Sequence, residues 1–460
     1  MSQQSHTRGR GHLARLVASV FILSLSAFGG CSVERPHGVV LVVVDTLRAD
    51  HLGFYGYSRD TSSHLDRWAE EGMVFERAMS TSSWTLPTFG SILTGRLPTG
   101  HGVGYRGGGE VRPKSTRLDQ TLPTLAEELQ QAGFATGAII DNPWLKPRFG
   151  LNRGFDTYDY QSATNKRRRR ADKVVDLATS WIDARRDQPF FLLVHLFDPH
   201  MTYDPPPSVR GRFIGPYEDR FSLPVFAPRK IRARANEVGE DERSFITAAY
   251  DEEIAFVDQE LNRFFEGLAE RELFQQLLVI LTSDHGEELF DHDSFEHGHS
   301  VYQELLHVPL VVWGPSVKSG REALPVSVID IAPTILDAVG VSGEPNPLSR
   351  SLWPRLTRRK RLDPRPLVAE GTLYGPERKA IIEWPHKLEL NLSNESIHLF
   401  DLESDPGERS DLSPSEIAVA RRLEERLRII LEAARSDKAP EEIELDEETL
   451  EELRSLGYIE

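Results

Sequence analysis

Cysteine is almost absent: Cys31 is the only one among 460 residues. A single thiol excludes any intramolecular disulfide. An excess of positive charge is also missing. Lys and Arg number 54 against 71 Asp and Glu, a formal net charge of −17. That excludes a general nucleic-acid binder, which needs a basic face. It does not exclude an anionic small substrate, because a bound metal can supply local positive charge. Internal repeats are not found. Long hydrophobic runs are scarce, and the one at the N-terminus, LVASVFILSLSAFGG (16–30), is too short for a comfortable membrane span.

That run reads as an export signal. Arg8, Arg10 and Arg15 precede it, and it ends in small residues followed by Cys31. A small-small-Cys ending resembles a bacterial lipoprotein signal, in which Cys31 would be lipidated and anchor an exported, periplasmic or cell-surface protein to the membrane. Phe28 stands where such signals carry Leu. An ordinary cleaved signal and an uncleaved anchor are the other readings. Residues 1–31 are therefore set aside as a signal segment.

What remains has ordinary globular composition, with 39% hydrophobic and 27% charged residues. GVVLVVVD (38–45) is a continuous β-branched run, the pattern of a strand buried on both faces. Residues 122–141, 173–200 and 248–284 each read as a helix followed by an apolar strand. HVPLVVWG (307–314) adds a strand and VSVIDIAPTILDAVG (326–340) a helix. The alternation predicts a doubly wound, mostly parallel α/β sheet over 38–343. From 344 to 460 the pattern changes. PLVAEG, KAIIEWP, KLELNLS and IHLFDL predict a small antiparallel sheet, and 416–436 predicts an amphipathic helix. An acidic tail follows that packs back through Leu and Tyr. KRRRR (166–170) reads as the solvated start of a helix over 171–186, with a docking patch for anionic polymers or headgroups as the lesser reading.

Ligands of open α/β sheets gather at the carboxyl ends of the strands. Here one strand ends in Asp45, another in Asp198 and His200, and a third in Asp284-His285-Gly286-Glu287. One such Asp can be a helix cap; three on one edge are hard to explain that way. Asp45, Asp284 and His285 form a donor set suited to one divalent cation, with Mn²⁺ or Zn²⁺ favoured by the His over Ca²⁺ or Mg²⁺. In TSSWTLPTFGSILTGRLPTGHG (81–102), Gly90–Gly95 reads as a helix ending at Gly95, with Thr85 just before it. A hydroxyl there could be activated by a metal. Thr85 and Thr88 could each instead be an N-cap, and Thr88 takes that reading.

These residues resemble the sulfatase branch of the alkaline phosphatase superfamily over about 38–460. The motifs occur in family order: VVVDTLRADHLGFYGY, WTLPTFGSILTGRLPTGHG, GFATGAIIDNPWL, FGLNRGFDTY, HLFDPHMTYDPP, LTSDHGEELFDHDSFEHGHSVYQELLHVPLVVWGP and HLFDLESDPGERSDL. The resemblance implies that Asp45, Asp284, His285 and the Thr85 hydroxyl hold the metal. It implies that Thr85 is the nucleophile, that His200 contacts the leaving-group oxygen and that His297 holds the ester oxyanion. His299 competes with His297 on spacing. Asn142 lies near where a Lys often enters, and His101 belongs behind the nucleophile helix. Glu287 and Glu288 would brace the loop, Trp84 and Trp144 would line the pocket or the core, and loops 103–121 and 203–243 would carry specificity.

The departures from the family pattern are informative. That pattern is Cys or Ser, any residue, Pro, any residue, Arg; here it is Thr85-Leu86-Pro87-Thr88-Phe89. With Cys31 the only cysteine, no Cys-derived formylglycine can form, and oxidising a Thr would give a ketone. Thr46 replaces the usual second acidic ligand. The expected function is a metal-dependent hydrolase cleaving a sulfate ester, small or on a glycan, with an unmodified Thr85. One alternative is a phosphodiesterase or phosphoryl transferase of the same superfamily. Another is a non-catalytic surface lipoprotein that binds anionic glycans.

Overall fold

The structure, a computed structural model, describes residues 33–106, 114–161, 168–217, 219–226, 228–358 and 361–458. The signal segment and Cys31 lie outside the described residues. The centre is an eight-stranded sheet: β1 (Gly38–Val44), β2 (Met73–Phe75), β3 (Ala135–Ile140), β4 (Thr157–Tyr160), β5 (Phe190–Leu196), β6 (Leu277–Ser283), β7 (Leu310–Trp313) and β8 (Gly320–Glu322), in the order β8-β2-β7-β6-β1-β5-β3-β4. β1 is paired parallel on both sides, with β5 and β6, and every residue of the three is buried. That burial is why the three read as unbroken apolar runs. Only β7 runs against the others. The run at 307–314 is cut at Pro309: His307–Val308 pairs with Ala78–Met79 in a separate small sheet.

Helices cover both faces. Val40, Val42 and Val44 pack toward Ala171–Asp183 and the 31-residue helix Glu240–Glu270. That long helix begins eight residues before the expected stretch, behind three acidic residues that suit its N-terminal dipole. On the opposite face, His195 of β5 meets Phe89 of the helix Thr85–Thr94. Leu125–Gln131, closed by a Thr124–Glu127 capping box, precedes β3 as expected.

The four C-terminal strands, Leu367–Glu370, Arg378–Glu383, His386–Asn391 and Ile397–Asp401, form the expected antiparallel sheet in sequence order. The amphipathic helix Ile417–Ala434 lays Ala420, Leu423 and Leu427 on Ile381, Leu388, Leu390 and Leu399. This sheet also grips the segment that leads into Thr85. Glu370 N–H donates to Thr81 O (2.8 Å), while Ser82 Oγ (2.7 Å) and Trp84 Nε1 (3.0 Å) both donate to Gly371 O.

Two sequence readings are corrected. The arginines at 168–170 are not a solvated face. Arg168 donates to His200 O (3.3 Å), Thr202 O (2.6 Å) and Glu253 Oε1 (3.0 Å), and Arg169 to Ile140 O (2.7 Å) and Asp159 Oδ1 (2.9 Å). They tie down loops at the sheet edge, where a guanidinium can satisfy several backbone carbonyls at once. Asp198 does serve as a helix cap, accepting from Ala171 N–H (2.8 Å) at the start of Ala171–Asp183.

The buried seam of the Ile417–Ala434 helix gives a stability test. Leu423→Ala should cost about 2–5 kcal/mol, as buried Leu truncations do. Ile429→Ala, at 60% exposure, should stay within about 0.5 kcal/mol. Thermal unfolding midpoints of the two variants compare them directly, and equal shifts would contradict this packing.

Candidate active site

The parallel register places Val44 opposite Leu196 and Ser283, so the residues that follow emerge level on one edge. Asp45 and Asp284 are adjacent, fully buried carboxylates there. The chain turns sharply after Asp45: Thr46 has φ 56°, an uncommon and strained value for a β-branched residue. The turn aims Thr46 N–H at Asp284 Oδ1 (3.3 Å) and Leu47 N–H at Ser283 Oγ (3.0 Å). His285 N–H also donates to Asp284 Oδ1 (2.9 Å).

One oxygen of each carboxylate is left over. Asp45 Oδ1 and Asp284 Oδ2 are buried without a hydrogen-bond partner. His285 Nε2 lies 3.7 Å from the first and 3.4 Å from the second. The His285 tautomer follows from its other nitrogen, which faces Gly286 O at 2.9 Å and must donate to it. Nε2 therefore presents a lone pair to the carboxylates. Two anionic oxygens and one imidazole lone pair converge within 4.8 Å. Buried polar atoms normally have partners, and this donor set fits a divalent cation.

The electrostatics agree. Burial and the Asp45 charge push the Asp284 carboxyl well above the usual range. Burial would raise Asp45 as well, but the His200, His195 and His285 imidazoles outweigh it and hold Asp45 below the usual range. Two carboxylates this close cannot both carry full charge in a dry site without a neutralising partner.

Thr85 stands at the start of its helix, not before it: Thr85–Thr94 is one helix, with Gly95 as its left-handed C-cap. Pro87 is tolerated because first-turn N–H groups have no intrahelical acceptor. Thr85 Oγ1 lies 3.3 Å from His285 Nε2, and Asn142 Nδ2 reaches it at 3.5 Å. Asn142 Nδ2 also donates to Asp45 Oδ2 (2.7 Å), while Asn142 Oδ1 caps its own turn by accepting from Trp144 N–H. Thr88 is not an N-cap. It sits inside the helix, and its hydroxyl donates to Trp84 O (3.1 Å). His101 braces the helix from behind, near Ser91 Oγ (3.2 Å) and Pro87 O (3.0 Å). A Cβ on Gly90 would come within 2.6 Å of the His101 ring.

His200 and His297 complete the cluster. Their ring centroids are 5.1 Å apart, and His297 is 4.5 Å from His285. His297 Nδ1 pairs with Glu287 Oε1 (2.8 Å), the bracing role read from the sequence, and its Nε2 is buried without a partner. Burial lowers both imidazoles, His200 to about 4 and His297 well below the usual value. His299 does not join them; it donates to Glu288 Oε2 (2.6 Å). Trp84 and Trp144 are buried against each other at 5.2 Å.

Sequence reasoning missed two members. His195, within β5, places Nε2 3.3 Å from Asp45 Oδ2. Its signal was a lone imidazole in an otherwise apolar buried strand. Tyr458, near the end of the chain, meets His200 Nε2 at 2.5 Å. The tail was expected to pack back through Leu and Tyr, as Leu453, Leu456 and Tyr458 do, but no local pattern set Tyr458 against His200.

A family profile described as Sulfatase matches residues 37–341. The delta 4,5-hexuronate-2-O-sulfatase of Bacteroides thetaiotaomicron is 21% identical over 452 residues, covering 85% of this chain and 87% of that protein. The arylsulfatase of Clostridium perfringens is 24% identical over 449 residues, covering 82% and 90%. Among solved structures, a 2-O GAG sulfatase superposes with TM-score 0.71 at 18% identity, covering 92% of this chain and 96% of that one. The phosphonate monoester hydrolase of Agrobacterium radiobacter superposes with TM-score 0.69 at 19% identity, covering 87% and 96%.

The orphaned carboxylate oxygens give a binding test. A divalent cation at about 100 times its Kd contributes about 2.7 kcal/mol and should raise the wild-type Tm by several degrees. Asp284→Asn mimics the protonated carboxyl that burial favours. It should leave the Tm of chelator-treated protein unchanged or higher, and abolish the rise on adding cation. Scanning fluorimetry of both proteins decides this, and an equal rise in each would refute the donor set.

Proposed function

The chain belongs to the sulfatase family, and from that premise we propose that it cleaves a sulfate ester, with unmodified Thr85 as the nucleophile. The observation that carries this reading is the meeting of Thr85 Oγ1 with His285 Nε2 (3.3 Å) beside two buried carboxylate oxygens that lack partners. A divalent cation held by Asp45, Asp284, His285 and the Thr85 hydroxyl would lower the hydroxyl pKa and neutralise the charge of the ester. Mn²⁺ and Zn²⁺ suit the imidazole best, with Ca²⁺ and Mg²⁺ as the alternatives.

The chain's own groups divide the remaining work. Thr85 Oγ1 attacks sulfur in line with the departing oxygen. Asn142 Nδ2 orients both Thr85 and Asp45. His297, held by Glu287, faces the ester oxygens. His200 and His297 would carry the Thr85 proton to the leaving oxygen as the bond from sulfur to that oxygen breaks, and would later return a proton from the attacking water to Thr85 as sulfo-Thr85 is hydrolysed. The full-length relative named for hexuronate 2-O-sulfate supports a glycan sulfate as substrate. The N-terminal segment supports an exported lipoprotein anchored through Cys31. Among the described residues, no helix is long and apolar enough to cross a membrane.

A second reading, hydrolysis or transfer at phosphorus, is favoured by the same nucleophile and by Phe89. Relatives of the sulfatase pattern carry Arg at position 89, and Phe89 here packs its ring on His195. The fold is also shared with phosphonate monoester hydrolases. A binding-only protein would hold metal and turn over no ester.

Residues 32–460, loaded with metal, should release sulfate from an aryl sulfate faster than phosphate from the matched monoester or diester. Thr85→Ala should lose on the order of 10³-fold or more in kcat, and Thr85→Ser should keep a measurable part. Activity surviving in Thr85→Ala would remove Thr85 from the nucleophile role. A preference for the phosphorus esters would establish the second reading.

A further inference from the structure

The groups assigned to the chemistry are closed off from solvent. Thr85, Asn142, Asp284, His285 and His297 are all at 0% exposure and His200 at 1%. An ester bulky enough to carry a glycan or aryl group cannot reach Thr85 without a displacement. The element set against the leaving-group side is the end of the chain. The helix Glu447–Ser455 is capped by Asp446 and turns at Gly457, whose φ is 87°. That turn delivers Tyr458, only 2% exposed.

The Tyr458 ring stands 5.7 Å from both His297 and Trp144. His200 Nδ1 faces Met201 O at 2.6 Å and donates to it, so Nε2 is the acceptor and the Tyr458 hydroxyl donates to it at 2.5 Å. With Nδ1 committed to Met201 O, Nε2 is the His200 atom left to meet the departing oxygen in the reading above. The tyrosine oxygen is a phenol oxygen on an aromatic ring, the same group that hydrolysis of an aryl sulfate releases.

The strap is seated through the buried side chains of Thr449, Leu453, Leu456 and Tyr458 and tied by polar contacts at its edges. Glu452 pairs with Lys146 (2.5 Å), Asp446 with Arg148 (2.8 Å), and Arg229 Nε donates to Gly457 O (3.1 Å). Lys146 and Arg148 lie four and six residues after Asn142, so the strap is docked on the segment that reaches Thr85.

Resting on the ester-hydrolase reading, we propose that Tyr458 is a specificity-determining residue of the leaving-group side: it occupies that position in the resting enzyme, and the strap 446–458 must yield before an ester can be cleaved. The closed state then lowers apparent substrate affinity by the fraction of molecules that are open. Lid displacement of this kind gates many active sites.

Two variants loosen the strap from different ends. Tyr458→Phe keeps the ring and removes the bond to His200. Glu452→Gln removes the charge pair with Lys146, away from the chemistry. Each should lower KM for 4-nitrophenyl sulfate by about 5-fold, the size of one lost hydrogen bond, and Glu452→Gln should leave kcat unchanged. A higher KM or a lower kcat in Tyr458→Phe would make Tyr458 part of the catalytic machinery and overturn the proposal. Hydrogen exchange of amides 446–458 supplies the readout that does not need turnover. On Thr85→Ala protein loaded with metal, 4-nitrophenyl sulfate should accelerate exchange in this segment. Unchanged or slowed exchange would overturn displacement. Failure of the esterase reading itself is a separate result, seen as no hydrolysis of the sulfate or phosphate esters by the wild-type chain.

Discussion

Two fully buried carboxylates, side by side, are the constraint on which this structure turns. Asp45 and Asp284 can sit together only because β1 and β6 run parallel in register and end at the same level. The surrounding residues manage their charge. Thr46 and His285 amides donate to one Asp284 oxygen, Asn142 donates to one Asp45 oxygen with His195 Nε2 3.3 Å from it, and the remaining oxygens face His285 Nε2. Burial of an unpaired charge is costly enough to unfold a local region. Such an arrangement is stable when something cationic completes it. The strained Thr46 backbone is the conformational expense of bringing those amides to bear.

Much of this was legible because parallel sheets write themselves plainly. Strands buried on both faces lose their alternation and become apolar runs, so Gly38–Val44 and Leu277–Ser283 could be found and their polar successors set on one edge. The edge argument failed at Asp198. An Asp at a strand end has two uses, and this one binds the amide of a helix 27 residues earlier in sequence. His195 was missed for the opposite reason: it lies inside a strand, where an imidazole reads as an exception to the pattern. The arginines at 168–170 were misread because a charge run gives no sign of the carbonyls it will meet. Tyr458 lies 258 residues from His200. Its place depends on where the C-terminal sheet and helix carry the chain, which no local pattern encodes.

The C-terminal sheet does more than extend the core. Its backbone at Glu370–Gly371 holds Thr81, Ser82 and Trp84, the residues that aim Thr85 into the cluster. With that support the single Thr85 hydroxyl stands 3.3 Å from His285 Nε2 and 3.5 Å from Asn142 Nδ2. Phe89 fits the same logic. Where the family pattern has Arg, an apolar ring presses on His195 and keeps that imidazole turned toward Asp45.

A chain of net charge −17 would be a poor host for an anionic ester if long-range charge decided binding. It does not, because the Debye length at physiological salt is about 8 Å. Surface carboxylates farther away are screened, and the buried cluster feels only what touches it. Three cations, Lys146, Arg148 and Arg229, hold the strap by its acidic and carbonyl groups. If the strap yields, those same cations lose their partners and are left beside the opening. An anionic ester arriving there meets positive charge that the closed state had neutralised internally. Opening the strap and exposing those cations are then one event.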